Sequence, residues 1–303
     1  PTGAIPTIVP MMDDAIDIVI TGHTNWAVNC VIDGKVVTGA ASQGRLVTDI
    51  DAKIDRTTKD FVPGSIMVNN HIVSRDVARA PALTALIAKY KVFEGPIAAV
   101  VVGSTTAAMD RSVLTPGRES TLGRLIADAQ LASSQGAGAQ FAFMNPGGIR
   151  ANFDVGDITH GEAFSVQPFS NIVTTMTLTG AQIDTLLEQQ FTVNSGSSAG
   201  TARSTPTVLL VSEGFTYTWD AAAALGSRVD PSTIKLNGTT LGASTEYRVT
   251  MNNFLSTGGD DFPGFLAGTN LVTGADDLVA LEAYLGANNP YTPIETVRIT
   301  RAN

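Results

Sequence analysis

The sequence predicts a mixed α/β (α+β) chain in two parts, and three observations carry that reading. Two stretches, 120–130 and 179–191, set apolar residues at helical spacing behind a capping residue. Short apolar runs of strand length, such as 141–144 and 172–178, alternate with them. Two tight-turn dipeptides, Asp33-Gly34 and Asn237-Gly238, sit between strand-like residues and predict hairpins.

Taken in order, 16–21 reads as a buried strand that delivers the loop Gly22-His23-Thr24-Asn25. Val28 to Gly39 reads as a hairpin about Asp33-Gly34, and Leu46 to Ile54 alternates as a half-buried strand should. Residues 1–79 therefore read as the closing strands of a β-rich layered domain. A helix is predicted over 80–94, with Pro81 in its first turn and Leu83, Leu86, Ile87 and Tyr90 on one face. Residues 95–303 form the second part. Ser120 is placed to cap a helix whose face is Leu122, Leu125, Ile126 and Ala129. Thr179 and Gln182 fit a capping box ahead of Ile183, Leu186, Leu187 and Phe191. Strands are predicted at 97–103, 141–144, 172–178, 207–212, 215–219, 233–236, 240–242, 246–252 and 296–300. The Ser-, Gly- and Thr-rich stretch 195–204 reads as a mobile surface loop.

With 303 residues, 44% of them hydrophobic, the chain has material for two real cores. A net charge of −9 argues against a nucleic-acid polymer as partner, because binding a phosphate backbone needs a basic surface that releases counterions. Arginines outnumber lysines, which suits planar recognition of a small anion as well as ordinary surfaces. The lone Cys30 rules out an internal disulfide framework and is predicted to be a small buried hydrophobe. No apolar run approaches the ~20 residues of a membrane span, and no signal-peptide pattern is read at the start. Neither a Gly-x-Ser-x-Gly elbow, a P-loop nor a Cys/His zinc spacing is present.

Three loops hold the residues with recognisable chemistry. They are Asn145-Pro146-Gly147-Gly148-Ile149-Arg150, Pro168-Phe169-Ser170-Asn171 and Phe254-Leu255-Ser256-Thr257-Gly258-Gly259-Asp260. Between them they supply two aromatic faces, an arginine, amides and a carboxylate on glycine-rich turns. A nucleobase is held by aromatic faces, its edge and the ribose by amide or carboxylate partners, and a phosphate by a guanidinium fork.

The stretch from Arg118 to Asp260 resembles the C-terminal, substrate-binding domain of the 5'-nucleotidases, the enzymes related to periplasmic UDP-sugar hydrolase. Gly22-His23-Thr24-Asn25, after an apolar strand, is similar to the last metal-ligand motif of that family's N-terminal domain, a four-layer α/β/β/α metallophosphoesterase fold. The resemblance implies a remnant of that fold over 1–79, a linking helix over 80–94 and a complete nucleotide-binding domain over 95–303. By the same resemblance Phe169 and Phe254 sandwich the base, and Asn145 and Asn171 approach it. Asp260 takes the ribose hydroxyls, while Arg118 and Arg150 contact phosphate or sugar.

Pro146 stands where the family has glycine, and Leu114 where some members carry a second arginine. The latter departure argues against a diphosphate or nucleotide-sugar substrate. His23 would bind one of two divalent metal ions, and Asn25 stands where a His or Gln is usual for the other. The family's remaining metal-ligand motifs do not occur in these residues. The resemblance implies a periplasmic or extracellular hydrolase that releases phosphate from nucleoside 5'-monophosphates with two divalent ions. In that reading the present residues bind nucleotide without turning it over. Its alternatives are a non-catalytic nucleoside-binding protein, or a hydrolase of UDP-sugars or 2',3'-cyclic nucleotides.

Overall fold

The computed structural model of the chain describes residues 4–112, 114–193 and 201–303. It divides into two compact units, Pro1–Ile87 and Ala88–Asn303. The architecture is mixed α/β, as the sequence predicts.

In the first unit, the strand Ile18–Ile20 pairs in parallel with Lys35–Ala40, which pairs antiparallel with Ala27–Ile32. Asp33 and Gly34 close the hairpin with φ of 50° and 75°, the left-handed pair that a type I′ turn requires. A second ladder pairs Leu46–Asp51 with Met67–Ile72. Asn70 Nδ2 ties it to the first sheet by donating to the carbonyls of Val28 and Gly39 at 3.0 and 3.2 Å. Val9, Val28 and Val37 form the buried cluster of this unit. Cys30 is only half-buried, because it alternates with its neighbours along a strand whose residues are mostly exposed.

The helix Pro81–Ala98 forms as predicted from Pro81 but runs further, through Pro96, and none of its residues is buried. The strand predicted at 97–103 therefore starts later, at Val101, and ends at Thr105. Apolar residues run unbroken from Ile97 to Val102, and such a run has no period to separate the end of a helix from the start of a strand.

The second unit is built on a five-stranded sheet in the order Leu210–Val211, Phe141–Met144, Glu246–Asn252, Ile172–Thr179, Thr269–Asp276. All four residues of Phe141–Met144 are buried, since this strand is covered on both faces. Phe141 and Phe143 enter a core with Ile183, Leu186 and Leu187 of the helix Gly180–Glu188. Met144 enters the opposite one, with Leu122, Leu125 and Ile126 of the helix Thr121–Ser133 and Leu281 and Leu285 of Asp277–Ala287. The predicted caps hold. Ser120 accepts from the Gly123 amide, and Thr179 and Gln182 form a reciprocal box, each cap being worth about 1 kcal/mol.

A smaller sheet orders Thr239–Thr240, Lys235–Leu236, Phe215–Trp219 and Ile299–Arg301, with Asn237 and Gly238 (φ 49° and 79°) in its hairpin. Its last strand is locked to the first helix by buried charges. Arg298 bonds both oxygens of Asp128 at 2.8 Å, and Glu119 accepts from the Ile299 amide at 2.6 Å and pairs with Arg124. Part of the stretch predicted as a surface loop, 195–200, lies outside the described residues. Thr201 and Ala202 pair instead with Thr192 and Val193 as a short ladder.

Candidate functional site

Sheet topology brings the three loops together. Phe141–Met144 and Glu246–Asn252 are parallel neighbours, with Val249 opposite Phe141 and Thr250 opposite Ala142. Their C-terminal ends therefore finish side by side, and each continues into a loop: Asn145–Arg150 from one, Asn253–Asp260 from the other. Ile172–Thr179 runs antiparallel to the second of these, with Val173 opposite Asn252. The segment that precedes it, Pro168–Asn171, so arrives at the same sheet edge. Loops at the carboxyl ends of parallel strands are where open α/β sheets place ligands.

A chain of asparagine amides organises this edge. Asn252, buried at the end of its strand, caps the short helix Asn253–Ser256 by accepting from the Leu255 amide at 2.9 Å. Its Nδ2 donates to Asn145 Oδ1 at 2.9 Å, and Asn145 Nδ2 donates to Asp260 Oδ2 at 2.7 Å. Asn145 is itself buried, so the Asp260 carboxylate is held by a relay rooted in the sheet. Among the described residues the second carboxylate oxygen of Asp260 and one N–H of the Asn145 amide have no hydrogen-bond partner.

Close approach explains two of the glycines. A Cβ on Gly147 would lie 3.3 Å from Asp260 Oδ2, and one on Gly259 would lie 2.6 Å from Cε1 of Phe254. Gly259 thus lets the Phe254 ring lie against its own loop. Phe169 and Phe254 are 53% and 44% exposed, and Phe93 and Phe164 are exposed too, in a chain that buries Phe141, Phe143, Phe153, Phe191, Phe215, Phe262 and Phe265. Among the described residues no ring contact joins Phe169 to Phe254. The Arg150 guanidinium stands 5.6 Å from the centre of the Phe169 ring and donates to the Gly147 carbonyl at 3.2 Å. Its loop is tied down by the bond from the Arg150 amide to the Val166 carbonyl at 2.9 Å.

Asn171 is fixed from the other side. Its Nδ2 donates to Asp277 Oδ2 at 3.2 Å, and its carbonyl accepts from the Asp277 amide at 2.8 Å. Gln167 Nε2 donates to the same carboxylate oxygen at 3.3 Å, while Oδ1 of Asp277 has no partner among the described residues. Burial pushes the Asp277 carboxyl up to about 6, against the opposing bond from Asn171.

The structure thus brings together Asn145, Arg150, Phe169, Asn171, Phe254 and Asp260 at one edge of one sheet. Arg118 stands apart from them. It occupies a left-handed turn (φ 74°) and lines a cavity that none of those six residues lines. His23 and Asn25 belong to the first unit, exposed on the turn after Ile18–Ile20, also left-handed at φ 65° and 59°. Among the described residues no group of three or more His, Cys, Asp or Glu comes together in a metal-holding arrangement. One imidazole and one amide fall short of the four or more donors that a divalent ion takes, so among the described residues His23 and Asn25 by themselves do not complete a metal site.

Three residues that serve the site escape the motif reading. Asn252 lies just ahead of the Phe254 loop, and its signal was an N-cap residue before a short helical turn. Asp277 opens an apolar helix, an ordinary start signal that says nothing of its bond to Asn171. Arg111 donates from Nη1 to the Ile149 carbonyl, next to Arg150, and no local pattern in the sequence points to that contact.

Comparison with known proteins places this arrangement in a family. Residues 101–267 match the model of the 5'-nucleotidase, C-terminal domain. Over 94% of its length the chain is 32% identical to an endonuclease of Bacillus subtilis, covering 22% of that protein. Over 87% of its length it is 30% identical to a cell wall protein of Listeria monocytogenes, covering 34% of it. The chain therefore spans about a fifth to a third of the length of these relatives. A solved structure, the 5'-nucleotidase precursor from Thermus thermophilus, superposes with a TM-score of 0.69 at 24% identity, over 95% of this chain and 60% of that one, which speaks for the fold. The chain belongs to the 5'-nucleotidase family and carries its C-terminal domain.

Proposed function

We propose that this chain holds a nucleoside or nucleoside 5'-monophosphate between Phe169 and Phe254, within a hydrolase that releases phosphate from nucleoside 5'-monophosphates. The observation that carries the reading is the pair of half-exposed rings over a sheet edge where the hydrogen-bonded Asn252–Asn145–Asp260 relay ends. Each ring supplies a stacking face worth about 1–3 kcal/mol. Asp260 accepts from a ribose hydroxyl, Asn145 and Asn171 face the base or sugar edge, and Arg150 meets the phosphate.

The two divalent ions that the family resemblance implies would supply a metal-bound nucleophile and charge stabilisation. His23 and Asn25 alone do not hold them, and these residues by themselves bind without hydrolysis. A domain organisation of 1–79, 80–94 and 95–303 and a periplasmic or extracellular setting belong to the same proposal. Similarity to a cell wall protein supports that setting, and among the described residues no helix is long and apolar enough to cross a membrane.

The test is calorimetric titration of the chain with adenosine and AMP, beside the Phe169→Ala/Phe254→Ala double variant. Saturable binding that weakens at least about tenfold in the variant is expected, from the loss of the stacking faces. Failure of the wild-type chain to bind either ligand would end the reading. Asn25, where a His or Gln is usual, favours a second reading, a nucleoside-binding protein without catalysis. Asp-x-His and Asn-His-Glu/Asp motifs in the gene ahead of Pro1 would decide for the hydrolase.

A further inference from the structure

A second cluster of charge borders the Phe254–Asp260 loop, to which Arg203 bonds. Four arginines, Arg118, Arg203, Arg228 and Arg301, line one cavity of about 330 Å³ together with Trp219. That volume is about ten times that of a water molecule in the liquid. None of the described residues that line it is acidic, in a chain whose net charge is −9. Four arginines around one cavity concentrate positive charge there, and a bound anion offsets it.

The arginines are positioned with donors to spare. Arg228 is stacked 5.4 Å from the centre of the Phe191 ring and uses Nε on the Ala223 carbonyl at 3.2 Å. Arg301 is stacked 5.2 Å from the Trp219 ring and uses Nε on the Asn303 carbonyl at 2.5 Å. Stacking fixes the plane of each guanidinium and leaves its η nitrogens, which have no acceptor among the described residues, at the edge. Arg118 makes no side-chain hydrogen bond or ion pair among the described residues. The carboxylate that Arg301 influences, Asp220, is already engaged by Asn303 Nδ2 at 3.0 Å and the Ala222 amide at 2.8 Å. Arg203 is the most committed, with Nη2 on Asp261 Oδ2 and the Asp260 carbonyl, both at 2.9 Å, and Nε on the Thr192 carbonyl at 2.8 Å. The hydroxyl-bearing Ser204 and Thr205 also line the cavity.

We propose that this cavity is an anion site for a free oligophosphate, of the size and charge of pyrophosphate, separate from the nucleotide site. Arg118, Arg228 and Arg301 line the cavity with no ion pair to a carboxylate among the described residues, which suits a multiply charged phosphate, and the volume holds more than one phosphate group. Arg203 touches both regions. Through it, an oligophosphate in the cavity acts on the loop that carries Asp260.

The experiment is titration of the wild-type chain with pyrophosphate, read by calorimetry and by Trp219 emission in a Trp26→Phe background. The expected result is one saturable site, with affinity at least tenfold weaker in Arg228→Gln/Arg301→Gln. Affinity should be unchanged in Phe169→Ala/Phe254→Ala and should persist in saturating AMP. Absence of saturable binding by wild type, or equal binding by the arginine double variant, would overturn the proposal. So would displacement of pyrophosphate by AMP, which would assign these arginines to the nucleotide's own phosphate. Arg228 and Arg301 both stack on core rings, so the AMP competition on wild-type residues decides the matter even where the arginine variant fails to fold.

Discussion

The two units carry their motif residues in different ways. In Ala88–Asn303, the polar motif residues at the sheet edge bond to one another or to buried neighbours, as Asn145 does to Asn252 and Asp260, and Asn171 to Asp277; the side chain of Arg118, away from that edge, makes no such bond among the described residues. In Pro1–Ile87, His23 and Asn25 sit on an exposed turn whose described bond is from the Thr24 amide to the Gly22 carbonyl at 2.7 Å. The motif match is equally legible in both places. What differs is the supporting shell, and a side chain is pre-organised only where its neighbours lie inside the same packed unit.

The contrast can be broken most forcefully at Asn252. Asn252→Ala removes the cap of Asn253–Ser256 and leaves Asn145 without its buried donor, so a stability loss of about 1–3 kcal/mol is expected by denaturant melting, together with weaker adenosine binding. A loss below about 0.5 kcal/mol would mean that the relay is not what supports the site. Gly259→Ala is expected to act next most strongly. Its Cβ would meet the Phe254 ring at 2.6 Å and push it off its seat, lowering adenosine affinity about tenfold, or ~1.4 kcal/mol.

Asp277 gives a pH test. The fold raises its carboxyl to about 6, above the unfolded value of 3.8, so the folded chain keeps a proton that the unfolded chain gives up. Its contribution to stability is therefore fullest below about pH 4 and is lost as the pH climbs to about 6. Asp277→Asn cannot ionise, so its melting temperature should gain on wild type across that window and hold a constant lead above it. A lead that stays the same from pH 3 to 7 would contradict the assignment.

The smallest effect sharpens the comparison from the other side. His23→Ala/Asn25→Ala is expected to leave adenosine affinity unchanged and to lower stability by no more than about 1 kcal/mol, since it puts alanine at two left-handed positions. A clear loss of affinity would show that the exposed turn takes part in holding the nucleoside.

Much of this was readable from residues alone, for physical reasons. Ser120, Thr179 and the two hairpin dipeptides act through local backbone bonds, so their effect is written within a few residues. The six residues at the sheet edge could be grouped because glycine-rich turns and a family motif name them. Bringing them to one edge required the parallel pairing of Phe141–Met144 with Glu246–Asn252, which no window of the sequence contains. Arg118 shows the converse, since it carries a motif but lines another cavity. Asn252–Asn145 and Asn171–Asp277 are each separated by over a hundred residues, and contacts of that span leave no periodicity to detect.

Arg118, Ser170, Asp260 and Asp261 all stand at positive φ, between 51° and 74°. An L-residue in that conformation costs about 1–2 kcal/mol, and glycine at the same place costs far less. The molecule thus gives up some of its heat tolerance at these turns to keep side chains there. Directed evolution toward a higher melting temperature would drift to glycine at these positions first, and would give up the side-chain contacts made there, such as Asn145 with Asp260 and Arg203 with Asp261.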